Sequence, residues 1–167
     1  MHAVPAGGIV AAPMRYFLLD RIVTLRPPES ATAIKCVSLA DDIFNDHFPG
    51  HPVMPGALLI EGMAQLGGVL VEATLRQRGQ DHLHALLTMV DRAKFREMVR
   101  PGDRLELEAI GISAREEGAQ VRALARVEGK LVAEAELTFA FFKIANAKLI
   151  QRRREALQIW LAGSVGE

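Results

Sequence analysis

The sequence predicts an α+β protein in which one apolar helix is wrapped by a long antiparallel sheet. Residues 57–71, ALLIEGMAQLGGVLV, are apolar on every side of a helix, so other elements are expected to cover it. Three segments between residues 104 and 142 alternate apolar and polar side chains, which is typical of half-buried strands. Short polar turns at 116–118 and 128–130 separate these segments and favour an antiparallel order.

The remaining elements can be assigned in chain order. Residues 14–29 predict a short apolar element that ends at two prolines, and residues 31–39 predict a strand. A turn-rich segment, 40–56, leads into the helix, which is expected to end near residue 78, and residues 83–98 are expected to be extended. The longest strand is expected at 131–142, with one face made by Leu131, Ala133, Ala135, Leu137, Phe139 and Phe141.

Three glycines, Gly62, Gly67 and Gly68, interrupt the predicted helix. Each weakens a helix by about 1 kcal/mol relative to alanine. Their small size predicts close approach of the helix backbone to the sheet or to a second copy of the helix.

The chain is expected to have three parts. Residues 1–13 are interpreted as a flexible tail, because they lack the basic start and the apolar core of an export signal. Residues 14–143 form the folded domain, and residues 144–167 form a helical extension. Apolar residues recur between 145 and 161 at helical spacing, and the arginine run 152–154 is expected to face away from them.

Composition excludes several classes of function. The length of 167 residues fits one domain, and 20 basic residues balance 20 acidic ones, so no overall field attracts nucleic acid. The apolar run 57–71 is too short for a membrane span and contains Glu61 and Gln65. A single cysteine, Cys36, cannot form an internal disulfide, which favours a reducing, cytoplasmic location.

The chemistry is predicted around Glu61, the only charged residue in the apolar helix. A buried carboxyl group is costly unless it is paired or protonated, and a protonated one can act as a general acid. His47 and His51 lie in the rigid turn before the helix, and an imidazole can act as a general base. The N–H groups after Pro55-Gly56 are free to stabilise an oxyanion. Together these groups suit removal of a proton next to a carbonyl and departure of a neighbouring hydroxyl.

Each of these residues also has a simpler interpretation. A histidine in such a turn often makes only structural hydrogen bonds, and Pro-Gly before a helix often does no more than mark where the helix begins. His47, His51 and Glu61 also resemble a set of metal ligands, but the histidine pair lies in a proline-broken turn without a second cluster, so no metal is predicted. His82 and His84 are interpreted as one face of the start of a strand.

Residues 47–65, HFPGHPVMPGALLIEGMAQ, resemble the signature HFPGxPxxPGxLxxEAxAQ of the 3-hydroxyacyl-[acyl-carrier-protein] dehydratases of the FabZ type. The similarity extends to residues 15–21, 95–96, 101–103, 127–130 and 133–136, and therefore covers about residues 14–142. The resemblance implies the hot-dog fold, in which an antiparallel sheet wraps a helix and two protomers join their sheets.

The resemblance also implies roles for individual residues. His47 of one protomer removes the C2 proton of a (R)-3-hydroxyacyl thioester, and Glu61 of the other protonates the departing C3 hydroxyl. The N–H of Gly56 polarises the thioester carbonyl, and Gln65 orients Glu61. No cofactor is implied, because the acyl group arrives on the phosphopantetheine arm of an acyl carrier protein.

An acyl tunnel and a docking patch complete the expected site. Six residues are candidates to line the tunnel: Phe48, Val53, Met54, Pro55, Leu58 and Phe95. Carrier proteins of this kind are acidic, and four basic residues form the candidate docking patch: Arg92, Lys94, Arg96 and Arg100. A homodimer with shared active sites is expected, with a trimer of dimers as a further option.

Some features depart from the family pattern. Asp46 stands where glycine is usual, Gly62 replaces alanine, and the helical extension has no counterpart in compact members. These departures suit a specialised member that serves a polyketide, polyene or other secondary lipid pathway. Three alternatives stay open: a hot-dog thioesterase, a coenzyme-A hydratase, and a degenerate hot-dog protein that binds acyl chains or a partner.

Overall fold

A computed structural model describes residues 16–162, and six of its segments form one antiparallel sheet. The predicted tail 1–13 lies outside the described residues, as do 14–15 and 163–167. The elements are β1 (Arg21–Arg26), β2 (Ser30–Cys36), a short 3-10 helix (Asp42–Asn45), α1 (Gly56–Gln77), β3 (Leu83–Phe95), β4 (Arg104–Ala114), β5 (Gly118–Val127), β6 (Lys130–Lys143) and α2 (Ala147–Leu161).

The strands lie in the order β1-β2-β4-β5-β6-β3. Every neighbouring pair is antiparallel, and tight turns join β1 to β2, β4 to β5 and β5 to β6. The predicted antiparallel sheet is therefore confirmed. The third strand along the chain, β3, crosses to the far edge, where β6 is its neighbour among the described strands.

Helix α1 packs against the inner face of this sheet, as its uniformly apolar sequence predicts. Leu66 and Leu70 are almost fully buried, and inward residues of β4 and β5 such as Leu107 and Val121 cover the helix. A Cβ at Gly67 would lie 3.1 Å from the Phe139 ring, so the glycine permits the predicted close approach to the sheet. The length and apolar composition of α1 would also suit a membrane span, but 72% of its apolar 18-residue stretch is buried within the protein.

Strand β6 departs from strict alternation at its start. Ala133, Leu137 and Phe139 are buried, as predicted, but the register with β5 shifts after Ala125. Because Val132 is the extra residue at this shift, Val132 and Ala133 are both buried and Leu131 is only half-buried.

Helix α2 confirms the predicted C-terminal helix and lies against the body of the protein. Its N-cap Asn146 accepts a hydrogen bond from the Leu149 N–H at 3.1 Å. The buried Trp160 ring packs edge-on against Phe17, with ring centroids 5.5 Å apart.

The arginine run was expected to face away from the packed side of α2, and this prediction is wrong for its middle residue. Arg153 donates a short hydrogen bond to Glu72 of α1. The Glu72 side chain is only 8% exposed, so its charge needs a compensating cation, and Arg153 provides it.

Candidate active site

Glu61 lies on α1 with its carboxylate held by a neighbouring amide. Gln65, one helical turn later, donates from Nε2 to the Glu61 Oε1 at 3.0 Å. Gln65 is itself fixed, because Nε2 also donates to the Tyr16 carbonyl and its Oε1 accepts from the Leu18 N–H, each at 3.0 Å. The segment before β1 therefore sets the orientation of Gln65, and Gln65 sets that of Glu61.

Glu61 and Gln65 open into a cavity of about 240 Å³. Most of the wall is apolar and comes from α1, the start of β3, β6 and α2. The apolar part consists of Ala64, Gly68, Val69, Ala85, Leu86, Leu87, Phe139, Ala156, Leu157 and Trp160. A half-buried carboxyl group such as that of Glu61, at the edge of an apolar cavity, suits proton transfer to a substrate with an apolar chain.

His47 lies in the loop after the 3-10 helix, and the backbone holds its ring. Its N–H donates to the Ile43 carbonyl at 3.0 Å, and its own carbonyl accepts from the Val53 N–H at 3.0 Å. The ring Nδ1 lies 2.8 Å from the Val53 carbonyl oxygen, which only accepts hydrogen bonds. Nδ1 therefore carries the proton, and Nε2 keeps the lone pair that a general base needs.

Two neighbours complete the surroundings of His47. The Phe48 ring stacks on the imidazole with centroids 4.1 Å apart. Asp46, which replaces the usual glycine, is exposed, and no ion pair joins it to His47 within residues 16–162.

The start of α1 places Gly56 against an aromatic ring. Pro55 is the N-cap, and its carbonyl accepts from the Leu58 and Leu59 N–H groups at 2.9 and 3.2 Å. The N–H groups of Gly56 and Ala57, at the start of the helix, have no intrahelical acceptor. A Cβ at position 56 would lie 2.9 Å from the Phe95 ring, so a larger residue there would require this ring to move. The structure thus leaves donors at the place where an oxyanion was predicted.

The six predicted tunnel residues do not line the Glu61 cavity of the same chain. Met54 is buried in the core, and it lines a separate cavity of about 520 Å³ together with Leu58. Val53 and Pro55 are half-buried, whereas Phe48 and Phe95 are more than half exposed. His47 is also not among the residues that line the Glu61 cavity.

The predicted docking residues lie along the end of β3 and the loop after it, and acidic residues of β6 pair with several of them. Arg96 lies 2.5 Å from the Glu134 carboxylate and Lys94 lies 3.7 Å from it, while Arg92 reaches Glu136 at 3.1 Å. The hydrogen bond from Arg96 lowers the pKa of Glu134, and the charges of Arg96 and Lys94 add to this effect.

Arg100 lies apart from these pairs. Its backbone N–H donates to Asp103 at 2.8 Å, and its guanidinium lies 3.4 Å from the His51 Nε2. The patch is therefore partly neutralised but keeps well-exposed cations, with side-chain exposure of 76% at Arg92 and 62% at Lys94.

Sequence reasoning missed Glu72, which lines the far end of the Glu61 cavity. Besides Arg153, it accepts a hydrogen bond from the Ala85 N–H at 3.1 Å and lies 3.5 Å from the His84 Nδ1. The signal was present: Glu72 follows the apolar run directly and lies eleven residues after Glu61, which places both acids on one helical face. Within residues 16–162, no three His, Cys, Asp or Glu residues form a group suited to a metal ion.

Solved structures with this architecture include proteins with hot-dog folds. The dehydratase heterocomplex ApeI:P from Xenorhabdus doucetiae matches with a TM-score of 0.63 and 17% identity, over 83% of this chain and 90% of that chain. A thioesterase from Haemophilus influenzae matches with a TM-score of 0.58 and 16% identity, over 75% of this chain and 80% of that chain. At these identities the likeness establishes the hot-dog fold and not the activity.

Sequence comparison is more specific. The family model described as a FabA-like domain matches residues 11–136. The 3-hydroxyacyl-[acyl-carrier-protein] dehydratase FabZ of Nitratiruptor sp. is 44% identical over 130 residues, which are 75% of this chain and 88% of that protein. The FabZ protein of Bacillus velezensis is 42% identical, over 77% of this chain and 90% of that protein. The chain therefore belongs to the FabA-like family and is a relative of the FabZ dehydratases.

Proposed function

We propose that this protein is a hydro-lyase that converts (R)-3-hydroxyacyl-[acyl-carrier-protein] to the trans-2-enoyl thioester and water in fatty-acid or related lipid biosynthesis. The observation that carries the proposal is the Glu61 carboxyl group, which Gln65 orients at the edge of an apolar cavity. Its FabZ relatives, whose names describe this activity, align over three quarters of the chain.

The chemistry divides between two side chains. The His47 Nε2 takes the proton from C2, since the Val53 carbonyl holds the proton on Nδ1. The electron pair of the broken C2–H bond forms the C2–C3 double bond, and the C3–O bond breaks as Glu61 gives its proton to the leaving hydroxyl. The imidazolium and the carboxylate then return to their starting states by exchange of one proton with water. The Gly56 N–H stabilises negative charge on the thioester oxygen.

The active site is proposed to form between two protomers. Within one chain, His47 is not among the residues that line the cavity at Glu61, which supports supply of the imidazole by a second copy. The edge strand β3 supports such pairing, because within residues 16–162 it pairs with β6 alone and four of its large apolar side chains are exposed: Leu86, Met89, Val90 and Phe95. A dimer through β3 would join the two sheets and cover this apolar surface.

The acyl carrier protein is proposed to dock on the Arg92–Arg100 side, where exposed cations would meet an acidic surface. Its phosphopantetheine arm would present the acyl group, so the proposed reaction uses no further cofactor. The exposed free thiol of Cys36 fits the proposed cytoplasmic location.

Complementation between two inactive variants tests this proposal. His47→Ala and Glu61→Gln are each expected to abolish dehydration of a carrier-bound 3-hydroxyacyl thioester. After unfolding and refolding together in equal amounts, they should recover about a quarter of the wild-type turnover, because about half the dimers are mixed and each holds one intact site. Each variant refolded alone is the matched control.

The outcomes separate the alternatives. Recovery on mixing supports shared sites, whereas activity that stays absent contradicts them. Near-normal turnover by either single variant contradicts the proposed roles of His47 and Glu61. Product masses identify the reaction: free acid indicates a thioesterase, and activity on coenzyme-A thioesters alone indicates a coenzyme-A hydratase.

A further inference from the structure

Helix α2 lies beyond the family match, which ends at residue 136, yet it forms part of the Glu61 cavity. Four of its residues line the cavity: Arg153, Ala156, Leu157 and Trp160. They face the start of β3 and the side of α1 that carries Gly68. A segment outside the shared family domain therefore shapes the space next to the proposed acid.

Several contacts hold α2 in place at this position. Arg153 pairs with the buried Glu72, and the Trp160 ring packs against Phe17. Ala156 and Trp160 are both less than one tenth exposed. A helix anchored at two points by side chains of α1 and of the segment before β1 forms a fixed wall.

The cavity changes character along α1. Glu61 and Gln65 mark one end and Glu72 the other, and eleven residues of helix separate the two acids by about 16 Å. Between them the lining is small or apolar, with Gly68 near the middle. An acyl chain whose C3 hydroxyl lies at Glu61 fits this apolar stretch and then meets the Glu72–Arg153 pair.

Leu157 separates this space from a second cavity of about 480 Å³. Leu157, Glu72 and Arg153 line both cavities, so they form the partition. Beyond it the lining includes Ile144 and Ile150, but it also carries the charged or polar side chains of Arg76, Asp81, His82, His84 and Arg154. An apolar chain end pushed through the partition would take water from these charges, which is unfavourable.

We propose that α2 is the end wall of the acyl site and that Leu157 limits the length of the acyl chain the enzyme accepts. The inference rests on the proposed function for the identity of the ligand. It makes α2 a specificity element of this chain, and the residues of the wall act on substrate length without taking part in proton transfer.

Binding of a chain-length ladder tests the wall without turnover. Trp160 is the only tryptophan in the sequence and lines the cavity, so its fluorescence reports occupancy. Saturated S-alkyl pantetheine thioethers of increasing length, which cannot be turned over, are titrated into the full chain. Wild type is expected to lose affinity beyond a limiting length, and Leu157→Ala should bind the next longer chains about tenfold more tightly than wild type.

Two further variants keep the test decisive. Leu149→Ala is the matched control: it makes the same substitution on α2, at a side chain that is 45% exposed and outside the cavity, and should leave the limit unchanged. Gly68→Ala fills the cavity from α1, because the new Cβ would lie 3.8 Å from Phe139, an ordinary contact. It should move the limit to shorter chains and leaves α2 untouched.

A ladder of carrier-bound 3-hydroxyacyl chains of the same lengths is then assayed for dehydration. Shifted binding limits without enoyl product would support the wall and contradict the proposed function. If all four proteins form enoyl product with the same limiting chain length, α2 is not the end wall. The proposed function would still stand. A limit that moves equally in Leu149→Ala and Leu157→Ala would also overturn the wall.

Discussion

Two acids on the same face of α1, Glu61 and Glu72, have very different surroundings. Glu72 is 8% exposed and meets the guanidinium of Arg153, the imidazole of His84 and the N–H of Ala85. Glu61 is half-buried beside the same cavity, and its hydrogen bond comes from the neutral amide of Gln65. Glu72 therefore ties two helices together, whereas the surroundings of Glu61 fit the general-acid role proposed for it.

The largest expected effect is on catalysis at Glu61. Glu61→Gln keeps the size and the hydrogen bond to Gln65 but removes the proton that the leaving hydroxyl needs. We expect turnover to fall by about 10²–10⁴, the usual contribution of a general acid. Steady-state turnover with a carrier-bound substrate measures this loss.

Thermal unfolding of the same variant is its control. The melting temperature of Glu61→Gln should equal or slightly exceed that of the wild type, because a costly half-buried acid has been removed. A large loss of stability together with the loss of turnover would contradict the proposed contrast with Glu72.

The second effect is on stability at Glu72. Glu72→Gln leaves Arg153 without its counter-charge, and we expect the free energy of unfolding to fall by about 1–3 kcal/mol. Turnover on short acyl chains should fall far less than in Glu61→Gln. Urea unfolding of Glu72→Gln, Arg153→Met and the double variant measures the coupling between the two side chains. Additive single effects would show that the pair does not anchor α2.

The smallest effect concerns a third acid, Glu134, at the sheet surface. Its pKa is lowered in the folded protein by the Arg96 hydrogen bond, so its contribution to stability is complete above the pKa of an unfolded glutamate. That contribution disappears as the pH falls through the lower, folded pKa. Wild type should therefore be slightly more stable than Glu134→Gln near neutral pH, and the difference should shrink in acid.

Thermal unfolding of wild type and Glu134→Gln, near neutral pH and in acid, measures this small difference in stability. Added salt is a second condition. Screening by salt should reduce it further, because the pair lies at the surface. A difference that grows on acidification would contradict the lowered pKa.

The local features of the fold were predictable from sequence because they depend on neighbours in the chain. The uniformly apolar run 57–71 indicated the buried helix, and alternation indicated β4, β5 and most of β6. The exception at Leu131 arises from the register of β6 with β5. The alternation of residues within one strand carries no information about that register.

The site was only partly predictable from the sequence, because some of its contacts join residues that are far apart in the chain. Glu61 and Gln65 are one turn apart, so their contact follows from helical spacing. The partner of Glu72 is Arg153, 81 residues away, and no local pattern links them. The joint placement of His47 and Glu61 depends on a second chain, and it stays a prediction until the complementation experiment is done.

The position of β6 between β5 and β3 has a consequence for biosynthesis. Strand β3 leaves the ribosome well before β6, yet β6 is its neighbour in the described sheet, about fifty residues further along at pairs such as Leu87 and Phe139. During translation we therefore expect α1 and β3 to keep apolar surface exposed until β6 has been synthesised. We expect the nascent protein to become compact late, once residues 130–143 have emerged, with α2 the last of the described elements to join it.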